Sequence, residues 1–276
     1  MHIFRALART PLTAEQLHKL SETFPIPLPT LHRSQARLRQ LAAAGQLRPW
    51  RYATTGPGGG ALYHKLTLES YKLLYGHDAT LPTKRFLHEV AISRHHHTRS
   101  LADFVVHTAT AAHRRGIDLV DFQPENTLRI NVGNHALYPD ASFNLRLPTG
   151  TDFTYRVELD NSTEPVRSSE RLDSWQQKLR LYYQHALDSP DRFKLIVVTT
   201  KQSSRLSHIL ELASQLNPNP EYSLVCGVML DNYLDTPDAL FAPCIRDQRN
   251  QRVPLLRALA GPGFRARQLV ALPATC

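Results

Sequence analysis

Pro139 to Asp160, PDASFNLRLPTGTDFTYRVELD, alternates apolar and polar residues on either side of a Pro/Gly turn, the pattern of two strands joined as a hairpin. Phe143, Leu145 and Leu147 share one parity, and Asp140, Ser142, Asn144 and Arg146 the other. On the second strand Phe153, Tyr155, Val157 and Leu159 oppose Thr154, Arg156, Glu158 and Asp160. Successive side chains leave opposite faces of a strand, so the acids gather on one face. A pair closed with Leu147 opposite Phe153 sets Asp140 against Asp160 and Ser142 against Glu158. A slip of two residues keeps the parity and sets Asp140 against Glu158. Cross-strand neighbours stand about 5 Å apart, where like charges repel unless a cation lies between them. A divalent ion with oxygen ligands would answer that repulsion. A water-facing ribbon whose acids are neutralised by Arg146 or Arg156 would answer it too.

Around this hairpin the chain has 276 residues, 42% of them hydrophobic, enough for two domains or one large one. No run approaches about 18 apolar residues, and MHIFRALART lacks the apolar core of a signal peptide. The expectation is a soluble cytoplasmic protein with no membrane partner. Cys226, Cys244 and Cys276 are widely spaced, which suggests neither a disulfide framework nor a zinc knuckle. The net charge of +9 is unevenly spread: residues 1–75 hold 10 Lys and Arg against 3 Asp and Glu, leaving +2 for all the rest. The N-terminal quarter is therefore the part suited to a polyanion.

That quarter reads as helices over residues 4–9 and 13–23, a PIPLPT link, and a helix from Leu31 to Ala44 that Gly45 stops. LRPWRYA and ALYHKLT then flank TTGPGGG, a hairpin with a loose tip. Three helices and a hairpin predict a winged helix-turn-helix domain over residues 1–80, whose third helix would enter the major groove of double-stranded DNA. The residues expected to face bases or phosphates are Arg33, Gln35, Arg37 and Gln40 on the helix, with Arg48, Arg51 and Lys65 on the wing. A basic, solvated helix in a protein-binding module is the competing reading.

Residues 81–276 form the expected second domain. SRHHHTRS leads into LADFVVHTATAAHRRG, a helix with Leu101, Phe104, Val105 and Ala112 for burial. His95, His96 and His97 point in different directions on a helix and cannot together chelate one ion, so they are expected at the surface. IDLVDFQ, the hairpin strands, FKLIVVTT and EYSLVCGVML read as strands. Helices are expected over residues 168–186, with Leu172, Trp175, Leu179 and Tyr182 inward, and over SRLSHILELASQL. The last forty residues, with five prolines, are expected to be irregular covering structure.

This αβββαβ order, with Pro139-Asp140 opening one strand and Glu158-Leu159-Asp160 closing the next, resembles the PD-(D/E)xK restriction-endonuclease-like superfamily. The N-terminal winged helix, the Thr163-Glu164 pair and a helix carrying Lys178 and Tyr182 narrow the likeness to the replication-relaxation family of plasmids and mobile elements, over about residues 5–230. The resemblance implies a DNA-binding protein of plasmid or mobile-element replication or relaxation, with a metal-dependent endonuclease site. In that site Asp140 and Glu158 would be catalytic acids, and with Asp160 they would hold Mg²⁺ or Mn²⁺. The pattern's lysine two residues after the glutamate is Asp160 here, so Lys178 from the next helix would supply that cation. The alternative is a non-catalytic transcriptional or replication regulator with a degenerate nuclease-like dimerisation domain. The resemblance leaves a homodimer or a place in a mobile-element complex open.

Overall fold

A computed structural model describes residues 1–53, 60–162, 164–167, 174–189, 192–220 and 222–256. Along the chain these fold as α1 (His2–Arg9), β1 (Leu12–Thr13), α2 (Ala14–Leu20), α3 (Leu31–Ala43), β2 (Leu47–Arg51), β3 (Leu62–Leu66), α4 (Leu68–Tyr75), α5 (Lys84–Leu87) and α6 (His95–Arg114). Then come β4 (Asp118–Gln123), β5 (Ile130–Val132), β6 (His135–Leu137), β7 (Ala141–Arg146), β8 (Asp152–Asp160), α7 (Trp175–Asp188), β9 (Phe193–Thr199), α8 (Ser203–Leu216), β10 (Val225–Met229), α9 (Leu230–Leu234), β11 (Ile245–Asp247) and β12 (Arg252–Val253). The class is mixed α/β: a largely helical N-terminal part and a large mixed sheet. No helix of the described residues is long and apolar enough to cross a membrane. The hairpin tip at residues 54–59, Thr163, residues 168–173 with Leu172, and residues 257–276 with Cys276 lie outside the described residues.

Local signals in the N-terminal part are obeyed closely. Thr13 caps α2 in a reciprocal capping box: its Oγ1 accepts from the Gln16 amide at 3.2 Å, and Gln16 Oε1 accepts from the Thr13 amide at 2.8 Å. Thr30 and Thr67 cap α3 and α4 one way, their side-chain oxygens accepting from the Arg33 and Ser70 amides. Gly45 at φ 70° ends α3, a conformation that costs a residue with a Cβ about 1 kcal/mol or more. β1, missed in the sequence, pairs with β3 to complete a small sheet of order β1–β3–β2.

Helix α6 is buried over most of its surface, polar His107, Thr108 and Thr110 included, because it is packed on both sides. Leu17, Leu20 and Leu38 from one direction and Phe143, Val157 and Ile196 from the other join Leu101, Phe104 and Val105 in one apolar cluster. Polar ties cross the same seam: Gln16 Nε2 donates to Asp103 Oδ1 at 2.8 Å, and Arg114 pairs with Glu22 at 2.6 Å. Residues on either side of position 80 thus share a single core.

The main sheet has the strand order β12–β11–β10–β9–β8–β7–β4, parallel across β8–β9–β10 and antiparallel elsewhere. Tyr155, Val157 and Leu159 face α6 and its neighbours, while Leu195, Val197 and Val225 face a second core with Trp175, Leu179 and Tyr182 of α7 and Leu206 and Ile209 of α8. Each fully buried side chain of this size contributes about 1.5–3 kcal/mol, so the parity of β8 is strongly enforced.

Two expectations are corrected here. The hairpin register is Leu145 opposite Phe153 and Ala141 opposite Val157, two residues from the first pairing considered, so Asp140 stands beside Glu158 and not Asp160. Arg146 forks onto Asp152 with both contacts at 2.8 Å and closes the turn one residue earlier on each side, with Gly150 at φ 84° inside it. The C-terminal segment is not merely irregular: α9, β11 and β12 lie in or beside it, and β11 and β12 extend the sheet beyond β10.

Candidate active site

Period-two alternation on β8 turns Val157 and Leu159 to one core and Glu158 and Asp160 to the other side, beneath α7. The face is not wet. Glu158 and Asp160 are 3% and 4% exposed, so each charge needs a partner of its own. Helix α7 supplies three partners at helical spacing. Lys178 Nζ donates to Glu158 Oε2 at 3.1 Å, and Tyr182, one turn on, donates to Glu158 Oε1 at 2.7 Å. Trp175, one turn back, donates its indole N–H to Asp160 Oδ1 at 3.0 Å. Arg205, in the first turn of α8, forks onto Asp160 at 2.5 and 2.6 Å and reaches the Glu164 carbonyl at 2.6 Å. Glu164 Oε1 takes a second Lys178 bond at 2.9 Å.

Asp140, the residue before β7, stands at the open end of this row. Its Oδ2 accepts from the Leu159 amide at 2.8 Å, and its Oδ1 lies 3.1 Å from His97 Nε2. His97 belongs to the first turn of α6, so the expected surface position of all three histidines is corrected. His95 is buried and accepts from the Ala53 amide at 2.8 Å, His97 is half-buried against Asp140, and His96 alone is exposed.

Electrostatics separates the two neighbouring acids. Burial, reinforced by Asp140, pushes Glu158 up to about 7, although Lys178 and Tyr182 pull the other way. Burial acts in the same sense on Asp140, but the His97 imidazole, the Leu159 amide and the Lys178 charge outweigh it and leave the carboxyl below its ordinary range. Burial alone would lower Lys178; the Glu158 and Glu164 carboxylates reverse that and hold the ammonium charged. Two adjacent carboxyls with values driven apart are the arrangement that acid–base chemistry uses.

The expected ligand set of Asp140, Glu158 and Asp160 is only partly brought together. Asp140 is half-buried, with Oδ2 on the Leu159 amide and Oδ1 beside His97 Nε2. Both Glu158 oxygens carry protein donors, so an ion there requires Lys178 to move aside. Both Asp160 oxygens are held by Arg205, and the residue does not fit the role of ligand.

The cationic residues of the N-terminal part divide similarly. Arg33, Gln35, Arg37 and Gln40 of α3, and Arg48 and Arg51 of the hairpin, are exposed. Lys65 is the correction: it is 6% exposed and donates to the carbonyls of Arg85 at 2.7 Å and His88 at 2.6 Å, so it has no free donor face for a phosphate. Burial lowers it to about 8. The segment around α5 lies over this side chain and takes it out of the expected wing surface.

Sequence reasoning overlooked His97 and Arg205. His97 lies four residues before Leu101 and seven before Phe104, on the buried stripe of α6, a spacing that marks it as inward. Arg205 is a cation in the first turn of a helix, where the dipole disfavours it, so a specific anion was to be sought. No protein-family model, no curated protein and no solved structure matches the chain.

Proposed function

We propose that the chain binds double-stranded DNA with a winged helix-turn-helix and cleaves a phosphodiester bond at a restriction-endonuclease-like site made by Asp140, Glu158 and Lys178. The carrying observation is Glu158: a buried carboxyl beside Asp140 whose Oε2 lies 3.1 Å from the Lys178 ammonium. The order α1, α2, α3, β2, β3 supports the first half of the reading, and the order α6, β4, β7, β8, α7, β9 supports the second. A role in plasmid or mobile-element replication or relaxation, suggested by the family resemblance, is part of the proposal.

In this mechanism α3 and the hairpin place the duplex with Arg33, Arg37, Arg48 and Arg51 against phosphates or base edges. Asp140 would hold a Mg²⁺ or Mn²⁺ ion, and Glu158, whose oxygens already carry Tyr182 and Lys178, would stay outside its coordination. Such an ion supplies Lewis-acid polarisation of a phosphoryl oxygen and lowers the pKa of a bound water. Lys178 exchanges Glu158 for a phosphate oxygen and stabilises the charge that builds there. The water oxygen bonds to phosphorus as the P–O bond to the leaving sugar oxygen breaks, and the water's proton passes to the Glu158 carboxylate. Tyr182 keeps its bond to Oε1 and fixes the carboxyl plane.

A second reading has an observation of its own. The acids on β8 are already compensated by Lys178, Tyr182, Trp175 and Arg205, as a regulator with a retired site would have them. Incubation of supercoiled plasmid with the protein and Mn²⁺ or Mg²⁺ separates the two. Nicked or linear DNA from the wild type and none from Asp140→Ala is expected; intact DNA with both selects the regulator. Binding is tested separately in gel shift, where Arg33→Ala with Arg37→Ala in the full chain costs about 1–3 kcal/mol per base-contacting residue. Unchanged affinity would remove α3 from the interface.

A further inference from the structure

A third group of potential ligands lies outside the β8–α7 row. His97 from α6, Glu125 from the β4–β5 connection and Asp140 from the start of β7 each offer one ligand atom, and the three atoms lie within 4.8 Å of one another. They come from three separate elements that the central sheet and α6 hold in place. His97 Nε2 is enclosed and, among the described residues, makes no hydrogen bond, although Asp140 Oδ1 is only 3.1 Å away. A buried imidazole nitrogen is normally paired, because leaving it unpaired costs about 1–3 kcal/mol. An imidazole nitrogen and a carboxylate oxygen this close, with a second carboxylate within 4.8 Å, are spaced as ligands that share one ion.

Glu125 is oriented for the same position. Its hydrogen bonds among the described residues fall on Oε1, from Arg85 at 3.1 Å, from Arg94 and from Asn126 at 3.0 Å. Its Oε2 accepts none of these three bonds. Donors that grip one oxygen of a carboxylate fix the direction of the other, which is how outer partners commonly support a metal ligand.

We infer that His97, Glu125 and Asp140 form a transition-metal site, and that the ion of this protein sits there in place of the Asp140–Glu158–Asp160 row. One imidazole and two carboxylates suit Mn²⁺ or Zn²⁺ better than Mg²⁺, which prefers all-oxygen octahedra and keeps its water. Arg85 and Arg94 compete with the ion for Glu125, so binding is weak and exchangeable and does not hold the fold together. Glu158 then stays free of the metal and holds Lys178 until a phosphate draws the lysine away, with Tyr182 still on its other oxygen. The inference relocates the ion of the proposed nuclease site and rests on that reading only for its purpose; the binding itself does not depend on cleavage.

The test is Mn²⁺ alone, added to the metal-free full-length protein and read by pulsed EPR for nitrogen coupling and by melting. The expected result is one bound Mn²⁺ showing a directly coordinated imidazole nitrogen, with the melting temperature raised by about 3–5 °C at tenfold excess over Kd. The coupling should vanish in His97→Gln, and Glu125→Gln should weaken binding at least about tenfold. In EDTA both variants should stay folded and lose only the metal-independent contacts of Glu125 with Arg85 and Arg94 and of His97 with Asp140, so the Mn²⁺-induced rise in melting temperature is compared with each variant's own EDTA value. Mn²⁺ bound without nitrogen coupling, or coupling that survives in His97→Gln, overturns the assignment, as does no binding at millimolar Mn²⁺. Nitrogen coupling without plasmid cleavage keeps the site and sinks the nuclease reading. Cleavage without nitrogen coupling does the reverse.

Discussion

The arginines of α3 and the hairpin face solvent with hardly a partner among them, whereas every charge on the β8–α7 row is buried and gripped. Solvated charges cost nothing to keep unpaired and remain available to an incoming polyanion. Buried ones persist only when the fold supplies their counterparts, and removing one member leaves the other stranded. The same residue types are thus used in two ways: one region keeps its charges solvated, and the other pairs its charges within the fold.

The sharpest way to break this contrast is Arg205→Ala. Asp160 would lose both guanidinium bonds while its side chain stays 1% exposed, so a loss of about 3–5 kcal/mol is expected in denaturant unfolding. A loss under about 1 kcal/mol, the scale of exposed pairs, would place this ion pair with the surface arginines.

A pH series tests the same contrast at Glu158. Its carboxyl is raised from 4.5 to about 7 on folding, so the folded state binds more protons than the unfolded state in between. That contribution to stability is complete below 4.5 and is lost as the pH rises toward 7. Asp140 works oppositely and in a different window: its depressed carboxyl adds stability above 3.8 that is lost as the pH falls through its folded value. Wild type should therefore lose more stability than Glu158→Gln between about pH 5 and 7, and parallel curves would contradict the burial of that charge.

Lys65 and Arg48 give the smallest and most selective comparison, since they are cross-strand partners on one hairpin. Lys65→Met should cost about 1–3 kcal/mol of stability by leaving two carbonyls unpaired, with no change in the salt dependence of DNA binding. Arg48→Ala should leave stability within about 0.5 kcal/mol and lower the salt slope by about 0.9. Equal salt slopes for the two variants would mean that exposure does not decide which cation meets DNA.

What was legible in the sequence follows the same division. The +7 of residues 1–75, the capping threonines and the Gly45 stop are local signals, and they placed α2, α3 and the hairpin correctly. Alternation assigned the faces of β7 and β8, since burial of Val157 and Leu159 tolerates no other parity. Register escaped it because a two-residue slip preserves every face and only the Arg146–Asp152 fork discriminates. Lys178 was named as the cation near Glu158 on the strength of a resemblance and its helical phase. The partners of Asp160 and Asp140 were not legible, because Arg205 and His97 lie 45 and about 43 residues away along the chain and meet them only once the sheet and α6 are assembled.

The central claim is that Lys178 leaves Glu158 to act on a phosphate, and plasmid nicking by Lys178→Ala at protein concentrations that saturate the DNA tests it most directly. With Mn²⁺ present, wild type should nick the plasmid while Lys178→Ala binds it with unchanged affinity and leaves it intact. Nicking by Lys178→Ala at the wild-type rate would contradict the account.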